Sequence, residues 1–153
     1  LGVEAPVLVL GFGQGNSSSD VTLRSDLTQT RADVSAQTAF RMAGLGPGDM
    51  DCAQIYDCFT VTVAMTLESY GFGSREALTD LARNGGFRSD GALPLNTSGG
   101  LLSETGMPGL QLVLEGVRQM RGQSTSQVKD AARCIVSNQG GIMHTHSTLI
   151  LGQ

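Results

Sequence analysis

Cys52-Ala53-Gln54-Ile55-Tyr56-Asp57-Cys58-Phe59-Thr60 is the stretch whose reading decides the fold. Cys52 to Tyr56 has the length and composition of a short strand. The apolar positions that follow, Phe59, Val63, Met65 and Leu67, predict a helix that stops at Tyr70-Gly71. A strand that feeds a helix through a polar turn is the repeating unit of a layered α/β sheet. It also places Tyr56, Asp57 and Cys58 beside a helix N-terminus, where unpaired N–H groups favour an anion or a developing oxyanion.

The same unit recurs on either side. Upstream, Val7-Leu8-Val9-Leu10 reads as a buried strand ended by Gly11-Phe12-Gly13. Ala36, Ala39, Phe40 and Ala43 then fall at helical spacing, with Asp33 or Ser35 as cap and Gly44 to Gly48 as stop. Downstream, residues 74–83 predict a short helix capped by Ser74, and Ala92 to Leu95 is brief and extended. A helix opened by Pro108 carries Leu110, Val113, Leu114, Val117 and Met120 on its apolar face. Strands over 133–137 and 147–151, joined through Gly140-Gly141, close the chain. The order β-α-β-α-(α)-β-α-β-β predicts one α/β domain over 1–153, with a mixed sheet if the last pair is a hairpin.

Composition narrows the function classes. The chain has 153 residues, 40% hydrophobic and 16% charged, enough for one sizeable core. A net charge of −4, with no cluster of Lys and Arg, argues against nucleic acid. No apolar run reaches the ~18 residues of a membrane span. The amino end carries no signal-peptide pattern and does not begin with Met, as expected of a domain excised from a longer protein. Cys52, Cys58 and Cys134 lack metal-ligand spacing and are odd in number, which suits a reducing, cytoplasmic setting and no bound metal.

Three polar loops carry the chemistry-bearing residues. In the first, Tyr56 is a phenol able to relay a proton or donate to an oxyanion; Asp57 is either a helix cap or a substrate contact, and Cys58 either a small filler or a contact. In the second, Asn96-Thr97-Ser98-Gly99-Gly100-Leu101-Leu102-Ser103, the paired glycines either make a structural turn or let backbone pass close to a thioester arm or carbonyl, with Asn96, Gly99, Gly100 and Ser103 as candidate contacts. The third runs through Gly140 and Gly141 to His144 and His146, the chain's two histidines. At strand spacing both imidazoles would share a face, so any imidazole acid–base role falls to one of them.

Taken together and in order, these residues resemble the C-terminal domain of the thiolases, specifically the lipid-transfer-protein or sterol-carrier type. The resemblance is carried by Ala43-Gly44, Pro47-Gly48-Asp49-Met50-Asp51, Tyr56-Asp57-Cys58-Phe59-Thr60, Leu95 to Ser103, Val117 to Gly122 and Asn138 to Gly141. It implies a five-stranded mixed sheet with helices on both faces, one of two similar halves with the active site between them. It also implies an acyl-CoA substrate, no bound cofactor, a nucleophilic Cys in an N-terminal thiolase half, and a homo-oligomer.

The family's C-terminal half supplies an Asn or His in the first loop, a His after the Gly99-Gly100 loop and often a Cys in the last. Here those places hold Tyr56, Gly106 and Asn138. A sub-branch of steroid side-chain aldolases has tyrosines at the first two places and an OB-fold/zinc-ribbon partner; Tyr56 matches the first, and Gly106 departs from the second. The implied reaction makes or breaks a carbon–carbon bond β to a CoA thioester, by acyl transfer or by retro-aldol cleavage, with His144 or His146 standing in for the missing group. The alternative is a non-catalytic thiolase-like subunit that binds acyl-CoA or supports a partner.

Overall fold

A computed structural model describes residues 6–28, 30–104 and 109–153. Among them run β1 (Leu8–Asn16), α1 (Ala32–Ala43), β2 (Cys52–Ile55), α2 (Thr60–Ser69), α3 (Arg75–Arg83), α4 (Leu110–Met120), β3 (Arg133–Gly140) and β4 (Thr145–Gly152). The sheet order is β1-β4-β3-β2. β4 is antiparallel to both β1 and β3, while β3 is parallel to β2. β1, β2 and β3 therefore point the same way, and their carboxyl ends share one edge with the start of β4.

Alternation along the strands builds two cores. Ala53, Ile55, Ile135 and Ile150 face α1, α2 and α3, where they meet Ala36, Ala39, Leu67 and Leu78. Cys52, Cys134, Val136 and Leu151 face α4 and meet Leu112 and Met120. Helices thus cover both faces, as the sequence predicts.

The expected five strands are four among the described residues. Ala92 to Leu95 forms a single parallel bridge, Ala53 to Leu95, instead of a strand. Its N–H groups are committed elsewhere: Leu93 donates to Gly86 O (2.9 Å) and Leu95 to Phe87 O (3.1 Å), while Pro94 has none to give. Only Pro94 O and the Asn96 N–H pair with Ala53, each at 2.9 Å, before Asn96 turns away at φ 48°.

β1 also departs from expectation. Gly11 and Gly13 do not end it; with Gly15 they alternate along the face that receives α1. A Cβ on these glycines would lie 2.0–2.2 Å from the carbonyl oxygens of Ala39, Ser35 and Arg31, so helix backbone rests directly on strand backbone. α1 starts at Ala32 without a side-chain cap. Ser35, an expected cap, instead donates to Ala32 O (3.0 Å) and meets Thr148 Oγ1 (2.7 Å), which in turn meets the Tyr70 hydroxyl at 2.5 Å. Ser74 does cap α3, accepting from the Ala77 N–H at 3.3 Å.

α4 keeps part of its expected face inside, with Met120 buried and Val113 and Val117 partly buried against the core. Leu112, Glu115, Gly116, Gln119 and Met120 are buried, whereas Leu110 is 60% and Leu114 46% exposed. The expected opening at Pro108 lies outside the described residues.

Candidate active site

The loops that leave the carboxyl ends of β1, β2 and β3 gather at one edge of the sheet, the place where open α/β sheets bind ligands. Tyr56 is the first residue past β2. Its N–H continues the parallel pairing by donating to Ser137 O at 3.2 Å, and its ring packs on the α4 side of the sheet. There it lines a cleft of ≈ 330 Å³ with Gly109, Asn138, Gly140, Thr145 and Ser147. Burial raises the pKa of the Tyr56 phenol, and the neighbouring Cys58 and Asp57 raise it further. At neutral pH it is a protonated donor.

Asn138 faces the same cleft. Its Nδ2 donates to Gly109 O at 3.2 Å, and its Oδ1 is buried without a hydrogen-bond partner. A buried, unpaired acceptor costs about 1–3 kcal/mol, so an orphan beside a phenol in a cleft marks a place where a ligand donor would be favoured.

The second loop is clamped to the end of β2. The Asn96 side chain mimics a strand neighbour: its Oδ1 accepts from the Ile55 N–H (2.7 Å) and its Nδ2 donates to Ile55 O (2.9 Å). Thr97 follows suit with Gln54, N–H to Oε1 at 3.2 Å and Nε2 to Oγ1 at 3.0 Å. Its hydroxyl donates to Glu115 Oε1 at 2.5 Å. That one oxygen also accepts from Ser124 Oγ and Gln119 Nε2, so a fully buried α4 carboxylate anchors the loop.

Asp57 does not cap α2, whose N-cap residue is Phe59. Its Oδ1 accepts from the Leu101 N–H at 3.0 Å, and a Cβ on Gly100 would strike its Oδ2 at 2.0 Å. The Ser103 N–H donates to Gly100 O (3.2 Å), and a Cβ on Gly99 would come within 2.7 Å of Ser103 Oγ. Asp57, Gly99, Gly100 and Ser103 therefore form one turn beside Tyr56. Gly106 lies outside the described residues.

Cys58 is half-buried, accepting from Gln139 Nε2 at 3.1 Å and 3.6 Å from Thr62 Oγ1. The two histidines are not brought to Tyr56. His146 is fully buried on β4, between Gly15 and Gln139 in register, and its Thr145 and Ser147 neighbours point to the opposite face, into the Tyr56 cleft. Its ring nitrogens make no hydrogen bond of good geometry, the nearest approach being to the Met143 backbone. Burial lowers its pKa to about 4, opposed by the Asp33 charge and by the Met143 backbone carbonyl, with Arg24 adding to the drop. His144 sits in the turn before β4, where its ring lies over Gly141 and its carbonyl accepts from the Ser17 N–H at 2.7 Å. The expected shared face of the two imidazoles gives way to a turn residue and a core residue.

Asn138 was named only as the occupant of the family's last-loop place, and Thr145 and Ser147 were not among the expected contacts. Their signal was available in the strand alternation, since residues flanking a buried His146 must face the other way. No group of three or more His, Cys, Asp or Glu residues able to hold a metal ion occurs among the described residues, and none of their helices is long and apolar enough to cross a membrane.

An open α/β sheet with a phenol and an amide facing a cleft at its carboxyl edge defines an α/β domain with a candidate ligand site at that edge. The chain belongs to the Thiolase C-terminal domain-like family, which matches residues 13–153. It is 34% identical over 152 residues to a steroid side-chain-cleaving aldolase of Thermomonospora curvata, covering 96% of this chain and 38% of the relative. It is 34% identical over 143 residues to an acetyl-CoA acetyltransferase of Methanothermobacter thermautotrophicus, covering 90% of this chain and 37% of that protein. Among solved structures it superposes on a chain of the Ltp2-ChsH2(DUF35) aldolase with a TM-score of 0.87 and 33% identity, over 97% of this chain and 40% of that one. The chain thus spans about two fifths of the length of each of these relatives.

Proposed function

We propose that this chain is the C-terminal half of a thiolase-fold enzyme that breaks a carbon–carbon bond β to a CoA thioester by retro-aldol cleavage. The observation that carries the reading is the Tyr56 phenol, held protonated in a cleft at the carboxyl edge of the sheet, opposite an orphaned Asn138 Oδ1. In the retro-aldol step the β-hydroxyl loses its proton, its electrons form a carbonyl, and the Cα–Cβ bond breaks. Those electrons become a thioester enolate, which is then protonated at Cα. Tyr56 donates to the thioester oxygen as negative charge develops there, the role of an oxyanion donor. Asn138 Oδ1 accepts a hydrogen bond from the substrate. The base that takes the hydroxyl proton comes from the other half of the split site.

Apolar surface supports a missing second half. Phe12 is 58% exposed on β1, and together with Val113, Val136 and Leu149 it lines a cavity of ≈ 460 Å³ next to α4. Exposed Leu110 and Leu114 extend that surface along α4. An apolar face this wide on a sheet is a docking surface. The N-terminal half supplies its cover, residues 1–153 make one domain of the longer protein, and that protein works as an oligomer. The solved relative named for two components supports a further polypeptide, of the OB-fold/zinc-ribbon kind, in the assembly.

The second reading is a non-catalytic acyl-CoA-binding subunit, favoured by the glycine at position 106 where thiolases place a His. Turnover of the full-length protein, with any co-encoded OB-fold partner, separates the two. On a β-hydroxyacyl-CoA, Tyr56→Phe should lower turnover by about 10²–10⁴-fold while the melting temperature holds. Thiolysis of a β-ketoacyl-CoA in preference to cleavage of the hydroxy substrate would make the chemistry acyl transfer. Tight acyl-CoA binding without turnover would leave the subunit reading.

A further inference from the structure

β2 is a strand of four residues, and Tyr56 leaves it where its outer neighbour has already turned away. On the inner side the ladder to β3 runs one step further, with the Tyr56 N–H donating to Ser137 O at 3.2 Å. On the outer side, among the described residues, the last main-chain bond is that of the Asn96 N–H to Ala53 O at 2.9 Å. Asn96 then adopts φ 48°, and its side chain does for Ile55 what a further strand residue would have done. Oδ1 accepts from the Ile55 N–H at 2.7 Å, and Nδ2 donates to Ile55 O at 2.9 Å.

The second of these bonds bears on the phenol. Ile55 O and the Tyr56 N–H belong to one peptide group, which is planar and ends at the Tyr56 Cα. Asn96 holds that plane from one edge and Ser137 from the other, so the base of the Tyr56 side chain is fixed against rotation. Ile55 is fully buried, so without the amide its N–H and C=O would be left unpaired away from water. Asn meets both demands of the position. A planar amide presents a donor and an acceptor side by side, and Asn enters the left-handed region more readily than most residues with a Cβ. Thr97 steadies the turn in its own right, through its two bonds to Gln54 and its hydroxyl's bond to the buried Glu115 carboxylate.

We infer that Asn96 is a positioning residue, which touches no reacting atom and sets the direction in which Tyr56 presents its hydroxyl to the cleft. The described lining of that cleft includes Tyr56 and not Asn96, so the effect is transmitted through the Ile55–Tyr56 peptide. The inference rests on the reading of Tyr56 as oxyanion donor and deepens it, because such a donor acts only when it is already aimed at the oxygen that gains charge.

Two substitutions test it. Asn96→Gly removes the amide and keeps the freedom for positive φ. Asn96→Asp keeps the shape and the acceptor for the Ile55 N–H, but sets an oxygen against Ile55 O. Full-length protein carrying each, with and without Tyr56→Phe, is assayed on a β-hydroxyacyl-CoA. The same proteins are labelled with fluorotyrosine for fluorine NMR, the Tyr56 signal being the one lost in Tyr56→Phe. Each substitution should lower kcat by ~10–100-fold, the order of cost of a misplacement of about 1 Å, and leave KM nearly unchanged. In the Tyr56→Phe background it should cost less than about twofold, because residues that act as a unit are not additive. The Tyr56 fluorine signal should shift or broaden in both variants. An equal loss of kcat in the two backgrounds, or no loss in either, overturns the inference, as does an unmoved fluorine signal. If Asn96→Gly does not fold, Asn96→Asp carries the same comparison. A wild type that does not turn over the substrate defeats the catalytic reading instead, and the fluorine signal then decides the positioning role alone: a moved signal supports it, and an unmoved one overturns it.

Discussion

Acidification should destabilise this domain through one residue, His146. The imidazole is fully buried, and this burial outweighs Asp33 and the Met143 backbone to hold its folded pKa at about 4 against an ordinary 6.5. A base whose folded pKa is depressed binds fewer protons folded than unfolded between those values, so its stability contribution is complete above about 6.5 and is lost as pH falls towards 4. Linkage across that gap gives a loss of about 2 kcal/mol between pH 7.5 and pH 5. For a domain of this size that is a drop of roughly 4–8 °C in melting temperature. Asp20 and Glu76, whose pKa values are lowered by hydrogen bonds to Thr22 and at the start of α3, lose their contributions only below about pH 4.5, outside this window. His146→Leu removes the titrating group and keeps an apolar side chain in the core. Urea unfolding at both pH values should show the 2 kcal/mol difference in wild type and little of it in the variant. Equal pH dependence in the two proteins, or an imidazole NMR titration near 6.5 for His146, would refute the reasoning.

The close strand–helix contact predicts that Gly13→Ala costs ~3 kcal/mol or more, since its Cβ would lie 2.0 Å from Ser35 O and α1 must lift; thermal melting reads it. Asn96→Ala removes both side-chain bonds to Ile55 and leaves that backbone pair without them, a loss of about 1–3 kcal/mol with faster amide exchange at Ile55. Glu115→Ala strips three donors of their shared acceptor and should cost about 3 kcal/mol, whereas Glu115→Gln, which keeps an accepting oxygen, should cost less than half as much; a ranking in the opposite order would count against the anchoring role.

Reading the chain for periodicity located the elements because most obey simple alternation: Ile135 and Cys134 face opposite cores, and Ala36, Ala39 and Phe40 form the inner face of α1. It failed where backbone rather than side chains decides. Gly11 and Gly13 look like a strand stop, yet they are the flat surface on which α1 rests. Ala92 to Leu95 looks like a strand, but its N–H groups go to Gly86 and Phe87. On α4 the buried stripe contains Glu115 and Gln119, so a search for apolar residues alone passes over those two and admits the exposed Leu110 and Leu114. At the site, Tyr56 and the Gly99-Gly100 turn were legible from strand-to-helix punctuation. The separation of His146 from Tyr56 was not, because it depends on where β4 begins: a start at Thr145 leaves His144 in the turn and sends Thr145 and Ser147 to the cleft.

That start also bears on the reaction. With both imidazoles outside the Tyr56 cleft, this chain offers there a phenol held protonated, an Asn138 oxygen in want of a donor, and the neutral side chains of Gln139, Thr145 and Ser147, none of them a base suited to neutral pH. A condensing thiolase needs a base to draw a proton from Cα, a task for which a phenol with a raised pKa is poorly matched near neutrality. Retro-aldol cleavage generates the enolate by bond breaking, so the same position needs only to hydrogen-bond an oxygen as it gains charge and to supply a proton afterwards. Tyr56 suits that second requirement because burial keeps its proton in place. A substitution that lowered its pKa, such as fluorination of the Tyr56 ring, should shift the alkaline limb of the pH–rate profile downward by the change in phenol pKa. A profile indifferent to fluorination would remove Tyr56 from the proton-transfer path.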